Sequence, residues 1–347
     1  MKQLLGGWWR RYIADPEFSV LWVMLVLVIL VFAFFGRLLT PLFVSIILAY
    51  LLDGMIKRLD SWKVPHLVSV LVVYLFTLAV IFVLLIWIIP ILWRQLASLI
   101  TELPRILKKA ELLLMALPTQ YPDFISANQL NTLLGAFQDS LTRTGKAILS
   151  YSLTNISNLL ELIVYFILVP LMVFFFLMDK IKILTWCKRF IPNQQRVLNQ
   201  VWREINLQMG NYVRGRILEV FIVGIVSATI FMIMGLNYAI LLGALIGIAT
   251  LVPFIGAIVA TIPVLVIAYI QWGLSAHFFY LILIYTIISA LDANVLVPLL
   301  FSGTMKLHPV AVIIAILVFG GLFGFWGVFF AIPLATVVRA VLNALQK

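Results

Sequence analysis

The chain has 347 residues, 64% of them hydrophobic and only 11% charged, with 24 Lys and Arg against 13 Asp and Glu for a formal charge of +11. A water-soluble domain needs a charged surface that so apolar a chain, with its long uninterrupted hydrophobic runs, does not supply, so the bilayer is read as its main solvent. The positive charge is dispersed along the edges of those runs rather than gathered on one module, which argues against a nucleic-acid partner.

A helix that crosses the bilayer needs about 20 apolar residues, because the hydrocarbon core is ~30 Å thick and each residue rises ~1.5 Å. The first such run is Phe18 to Phe35, preceded by Lys2, Arg10 and Arg11 together with Asp15 and Glu17. It is long for the core of a signal peptide and no small-residue cleavage site closes it, so it is expected to remain as an anchor. Leu38 to Leu52 is a second apolar stretch, interrupted by Pro41, and Leu67 to Trp93 is a clear third. Residues 1–93 therefore form an N-terminal membrane region.

Residues 94–161 read as a helical segment outside the membrane. Leu96, Leu99, Leu103, Ile106, Ala110, Leu113 and Leu117 recur at three- and four-residue spacing up to Pro118. Leu130, Leu133, Phe137, Leu141 and Ile148 continue a second stripe after the turn-like Gln120 to Asn128. A helical hairpin follows, whose apolar seams pack on each other or on a second copy, and a homo-oligomer is expected from the width of the Leu96 to Leu117 face. A span at 162–178 leads to residues 179–216, where Lys180, Lys182, Lys188, Arg189, Arg196, Arg203, Arg214 and Arg216 face only Asp179 and Glu204. The positive-inside rule makes that segment cytoplasmic, and counting outward puts both termini inside and 94–161 outside. An amphipathic helix is expected there, from an Asn193 cap through Val197, Val201, Ile205 and Tyr212, with a basic face suited to anionic headgroups.

Residues 217–347 form a C-terminal membrane region. Ile217 to Met234 and Phe278 to Phe301 are clear spans, whereas Ala239 to Ile270 is split at Pro253 and Gly256. Pro309 to Val338 is split at Gly320, Gly321, Gly324 and Gly327. Its first piece, Pro309 to Phe319, would reach only roughly 16 Å as helix, so a hairpin or broken helix turning near Gly320-Gly321 is expected. The Gly243/Gly247 pair has the small-xxx-small spacing of close helix packing. The fold class is thus an all-α polytopic membrane protein of about eight membrane segments plus Pro/Gly-broken or re-entrant hairpins, an extracytoplasmic helical hairpin and a cytoplasmic amphipathic helix.

Catalytic signatures are lacking. Thr144-Gly145-Lys146-Ala147 has neither the earlier glycine nor the following Ser or Thr of a phosphate loop, and there is no H-E-x-x-H pair and no G-x-S-x-G elbow. The single cysteine, Cys187, cannot make an intrachain disulfide, and three scattered histidines form no metal cluster, so no enzyme activity, cofactor or metal is assigned. Polar and backbone-breaking residues inside apolar segments remain. A charge within the bilayer costs roughly 2.5–3.5 kcal/mol and usually faces a cavity or a partner. Asp292 is the leading candidate for binding a solute or its coupling cation, with Asn294 two residues on. Two residues are about 200° of helix rotation, so the pair shares a surface only if the helix unwinds before Pro298. Glu219, just after Arg214 and Arg216, is read first as an interfacial ion pair and second as a coupling group. Pro41, Pro253, Gly256, Pro298, Pro333 and the Gly320, Gly321, Gly324 and Gly327 series are the candidate gating or broken-helix positions, since freed backbone survives in a membrane only where protein or a water-filled cavity covers it.

Several stretches in order resemble the signature series of the AI-2E transporter family, and most its PerM permease branch: Val252-Pro253-Phe254-Ile255-Gly256-Ala257, Asp292 to Pro298, Leu307-His308-Pro309, and Gly320 to Gly327 running on to Pro333-Leu334. The resemblance covers essentially the whole chain. It implies a multi-pass bacterial inner-membrane secondary transporter or permease of a small solute, with export of the signal autoinducer-2 or sodium-proton exchange among the family's activities, and a homo-oligomeric assembly. A non-transporting membrane scaffold or regulator is the alternative.

Overall fold

The computed structural model describes residues 39–114, 135, 156–189, 196–253, 255–301 and 308–346. Every regular element among them is a helix. In chain order these are α1 (Thr40–Ser61), α2 (His66–Leu114), α3 (Ile156–Met178), α4 (Lys180–Lys188), α5 (Arg196–Ile233), α6 (Ala239–Ala249), α7 (Ile255–Trp272), α8 (Ala276–Leu291), a π-helical turn (Asp292–Leu296), α9 (Val297–Phe301), α10 (Pro309–Phe329) and α11 (Ala331–Gln346). The expected span Phe18 to Phe35, the second outer stripe from Leu130, the Gln120 to Asn128 turn and the Asn193 cap lie outside the described residues.

Among the described residues five helices are long and apolar enough to cross a membrane, six if the pair Ile163–Met178 and Lys180–Trp186, bent by 82°, is one span. The expected span Phe18 to Phe35 lies outside this set, and two boundaries drawn at polar residues do not stop helices. Span Leu67 to Trp93 and the outer stripe from Leu96 are one helix of 49 residues, about 70 Å long, which continues through Arg94, Pro90 and Pro104. The amphipathic cytoplasmic stretch and the span after it are likewise one 38-residue helix, α5. Pro90 before the first junction and Gly215 at the second lie inside these helices, and charge alone does not end a helix.

The chain divides into two compact units, Met1–Thr77 with Val164–Leu218 and Val297–Lys347, and Leu78–Ile163 with Glu219–Leu296. In the first, Leu52, Ile56, Val70, Val73, Val173 and Leu177 make a core from α1, the start of α2 and α3. Polar side chains inside it discharge onto backbone carbonyls: Ser45 Oγ donates to Pro41 O at 2.6 Å and Val169 O at 3.3 Å, and Tyr74 Oη to Pro170 O at 3.1 Å. Hydrocarbon offers no other acceptor. Asp53 on α1 pairs with Lys180 at 2.7 Å and Lys57 at 2.8 Å, so two segments expected on the same cytoplasmic side meet.

The second unit packs α5, α6, α7 and α8 around Phe231, Leu242, Ile246, Val264, Ala268, Leu281 and Tyr285, with Leu99 of α2 against them. Helices α5 and α6 approach closely through small residues: a Cβ on Gly224 would stand 3.4 Å from Gly243 O and 3.5 Å from Gly247 Cα. Across both units large apolar side chains such as Phe76, Trp87, Ile225, Ile233, Ile258 and Leu317 are exposed, an outer surface suited to lipid and not to water.

Candidate functional site

The apolar segment Ala276–Phe301 holds Asp292. Its helix runs regularly to Leu291, widens into the π turn Asp292–Leu296 and resumes as α9. Pro298 is the physical cause at hand: it lacks an N–H, and its ring crowds the carbonyl four residues back, so the turn before it takes a wider spacing. The chain stays helical there instead of unwinding before Pro298. The Asn294 side chain is exposed and its Nδ2 donates to Ala290 O at 2.8 Å, while Asp292 is half-buried with Oδ1 shielded from solvent. Glu219, in α5, is buried, 2% exposed.

The buried cation that sequence reasoning missed is Arg216, 3% exposed. Its guanidinium lies 5.5 Å from the Tyr212 ring centre and 5.2 Å from that of Phe301, stacking that stabilises a desolvated cation. Tyr212 Oη donates to Phe329 O at 2.9 Å and its ring is 5.7 Å from Phe301. Trp326 extends the cluster to Phe43 and Phe330, and its indole N–H donates to Thr40 Oγ1 at 3.3 Å. In the sequence Arg216 looked like one more basic residue at a span edge. The signal was its i, i+4 spacing from Tyr212.

The backbone-breaking positions fall into three kinds. Pro41 and Pro333 do not break helices: Pro41 sits in the first turn of α1 and Pro333 in that of α11, where a missing N–H costs nothing. Pro253 lies in the connection between α6 and α7, and Gly256 in the first turn of α7. A Cβ on Gly256 would collide with Ala249 O, so only glycine allows that turn to close. Both ends of this pair lie together, because Gln271 near the end of α7 accepts from Asn237 N at 2.8 Å and donates to Gly235 O at 2.7 Å, just before α6. The third kind is the break in α10, which comes at Gly324 (φ 58°, ψ −139°) and not at Gly320-Gly321, both helical. The chain reverses there: a Cβ on Gly327 would strike Phe319 O, and one on Gly320 would stand 2.8 Å from Val328 Cγ2.

Outside the apolar segments, burial raises the Asp53 carboxyl but the hydrogen bonds and charges of Lys180 and Lys57 outweigh it and hold the group below its usual range. Among the described residues no group of three or more His, Cys, Asp or Glu is placed to hold a metal ion.

Comparison with known proteins gives a consistent result. The model of the AI-2E family transporter matches residues 22–347. The chain is 40% identical over 344 residues to "Putative permease PerM" of Escherichia coli strain K12, covering 99% of this chain and 98% of that protein. It is 24% identical to "Putative transport protein YueF" of Bacillus subtilis, over 88% of this chain and 84% of that one, and 26% identical to "Putative transport protein YrrI" of the same organism, over 87% and 85%.

Proposed function

Because the chain belongs to the AI-2E transporter family, we propose that this membrane permease is a secondary transporter that carries a small solute by alternating access, coupled to protons or sodium. The observation that carries this reading is the α6–α7 pair. Helix α6 has 11 residues, about 16 Å and roughly half the hydrocarbon core, and the pair returns to where it began. A segment that enters and leaves on one side is a re-entrant hairpin. Irregular backbone such as its Thr250–Pro253 tip is tolerated at membrane depth only where protein or an aqueous cavity covers it, the circumstance in which transporters build solute sites. The break at Gly324 gives α10 and α11 the same character, since residues 309–323 as helix reach only about 22 Å.

Asp292 is the coupling group in this proposal. A carboxylate in an apolar segment that is neither fully buried nor fully exposed can exchange a proton or cation between the two sides, and the π turn keeps its backbone adjustable. The protein works in the bacterial inner membrane with both termini cytoplasmic, as a homo-oligomer. The test is solute counterflow and proton or sodium flux in proteoliposomes of the purified protein. Asp292→Asn keeps the shape and removes the charge. It abolishes ion-coupled accumulation and leaves elution volume unchanged; coupled accumulation with unaltered pH and sodium dependence would make Asp292 structural.

A further inference from the structure

On the second unit, where α2 leaves its apolar stretch, Arg94, Gln95, Ser98 and Glu102 face the Met234–Tyr238 connection across a cleft of about 330 Å³. Each of the six residues that line it carries a polar group on its side chain, which is unusual beside helices this hydrophobic. Arg94, Ser98 and Glu102 stand four residues apart and so share one face of α2, with a cation at one end, an anion at the other and about 12 Å of helix rise between them. Among the described residues neither charge has an ion-pair partner, and both side chains are exposed.

The opposite wall is held in place. Tyr238 has φ 60°, a left-handed conformation that disfavours a residue with a side chain by roughly 1–2 kcal/mol. Three hydrogen bonds around it keep it so: Gln95 Oε1 accepts from Leu241 N at 2.8 Å, and Gln271 grips Asn237 N and Gly235 O. Strain sustained by surrounding bonds is a mark of a working surface. Burial, with a hydrogen bond to Glu102, pushes the Tyr238 hydroxyl up to about 12, so it remains a proton donor at any physiological pH. The cleft opens at the start of α6, the entry to the α6–α7 hairpin.

We propose that this cleft is a binding site for a small zwitterionic solute of tripeptide size, its anionic end on Arg94, its ammonium on Glu102 and its amide groups on Ser98, Asn237 and Tyr238. An extended tripeptide spans about 10 Å, of the same order as the ~12 Å of helix rise between Arg94 and Glu102. Neither charge alone selects this class. A simple anion would leave Glu102 opposed, a cation would leave Arg94 opposed, and a neutral solute would use neither.

This site rests on the transport reading, in which it is the place of first contact with the solute. The test is calorimetric titration of the purified full-length protein with trialanine and with N-acetyl-trialanine amide, which lacks both charges. Trialanine is expected to bind and the capped peptide not to. Arg94→Gln and Glu102→Gln each weaken trialanine about three- to fivefold, the effect of one exposed ion pair, and Arg94→Lys restores most of it. Equal binding of the two peptides, no binding of trialanine, or unchanged affinity in both variants overturns the inference. The peptide comparison needs no substitution and so stands if a variant fails to fold. If proteoliposomes accumulate some other solute while trialanine does not bind, only this site falls; if they accumulate nothing under any gradient, the transport reading falls with it.

Discussion

Arg216 shows how the same residue type carries different meaning according to what surrounds it. Basic residues at span edges orient a membrane protein through the charge bias of the cytoplasm, and in the orientation proposed above most of the cations between residues 180 and 214 serve that end. Arg216 is instead enclosed by Tyr212 and Phe301, on whose rings its guanidinium stacks, while the Tyr212 hydroxyl donates to Phe329 O. Tyr212→Phe leaves that carbonyl without its donor at a site that water does not reach, and is expected to lower unfolding stability by about 1–2 kcal/mol in denaturant titration of the purified protein. Asp53 supplies a pH test. Its carboxyl is held below the ordinary value of about 3.9 in the folded protein, so its contribution is fully present above about pH 4 and is lost as pH falls through the lowered value. Asp53→Asn should therefore lower the unfolding temperature at pH 7 and remove part of its decline in acid; an unchanged acid limb would show that the two lysines do not stabilise the folded state.

The helices illustrate which breaks in a sequence become breaks in a structure. Pro90, Pro104 and Pro170 sit inside continuous helices, and Pro41 and Pro333 begin theirs, so proline content alone overstated the fragmentation. The chain turns where glycine lets two backbones touch. Three substitutions in one hairpin separate these roles. Gly327→Ala puts a methyl into Phe319 O and is expected to cost about 2 kcal/mol or more. Gly324→Ala forces a side chain into a positive-φ conformation, at roughly 1–3 kcal/mol. Gly321→Ala falls on a helical residue with open space around its Cβ and should be neutral or stabilising by up to about 1 kcal/mol. Thermal unfolding in detergent ranks the three; Gly321→Ala as the most damaging would move the turn back to the Gly320-Gly321 position that the sequence pointed to.

At the scale of the whole molecule, the orientation proposed above makes Cys187 cytoplasmic, so a membrane-impermeant thiol reagent is expected to leave it unlabelled in intact spheroplasts and to label it after lysis. Labelling of intact cells would reverse the topology. Helix α2 is the least buried candidate span, 6% within its most apolar window against 17–33% for the others, which leaves it a face for lipid or for a second copy of the chain. Mass measurement in detergent is expected to find an oligomer, and a monomer at every concentration would assign that face to lipid alone. Composition, the positions of long apolar runs and the ordered Pro, Gly and Asp motifs sufficed by themselves for the all-helical class, the membrane setting and the family, because the bilayer imposes its length and polarity on every segment locally. Where α2 and α5 stop, which prolines bend the chain, that Asn294 turns back to Ala290 O and that Arg216 is enclosed by aromatic rings were decided only in the tertiary structure. Those outcomes depend on residues far apart in the chain, such as Tyr212 with Phe329 or Gln95 with Leu241, and no local pattern records which distant carbonyl or ring a side chain will meet.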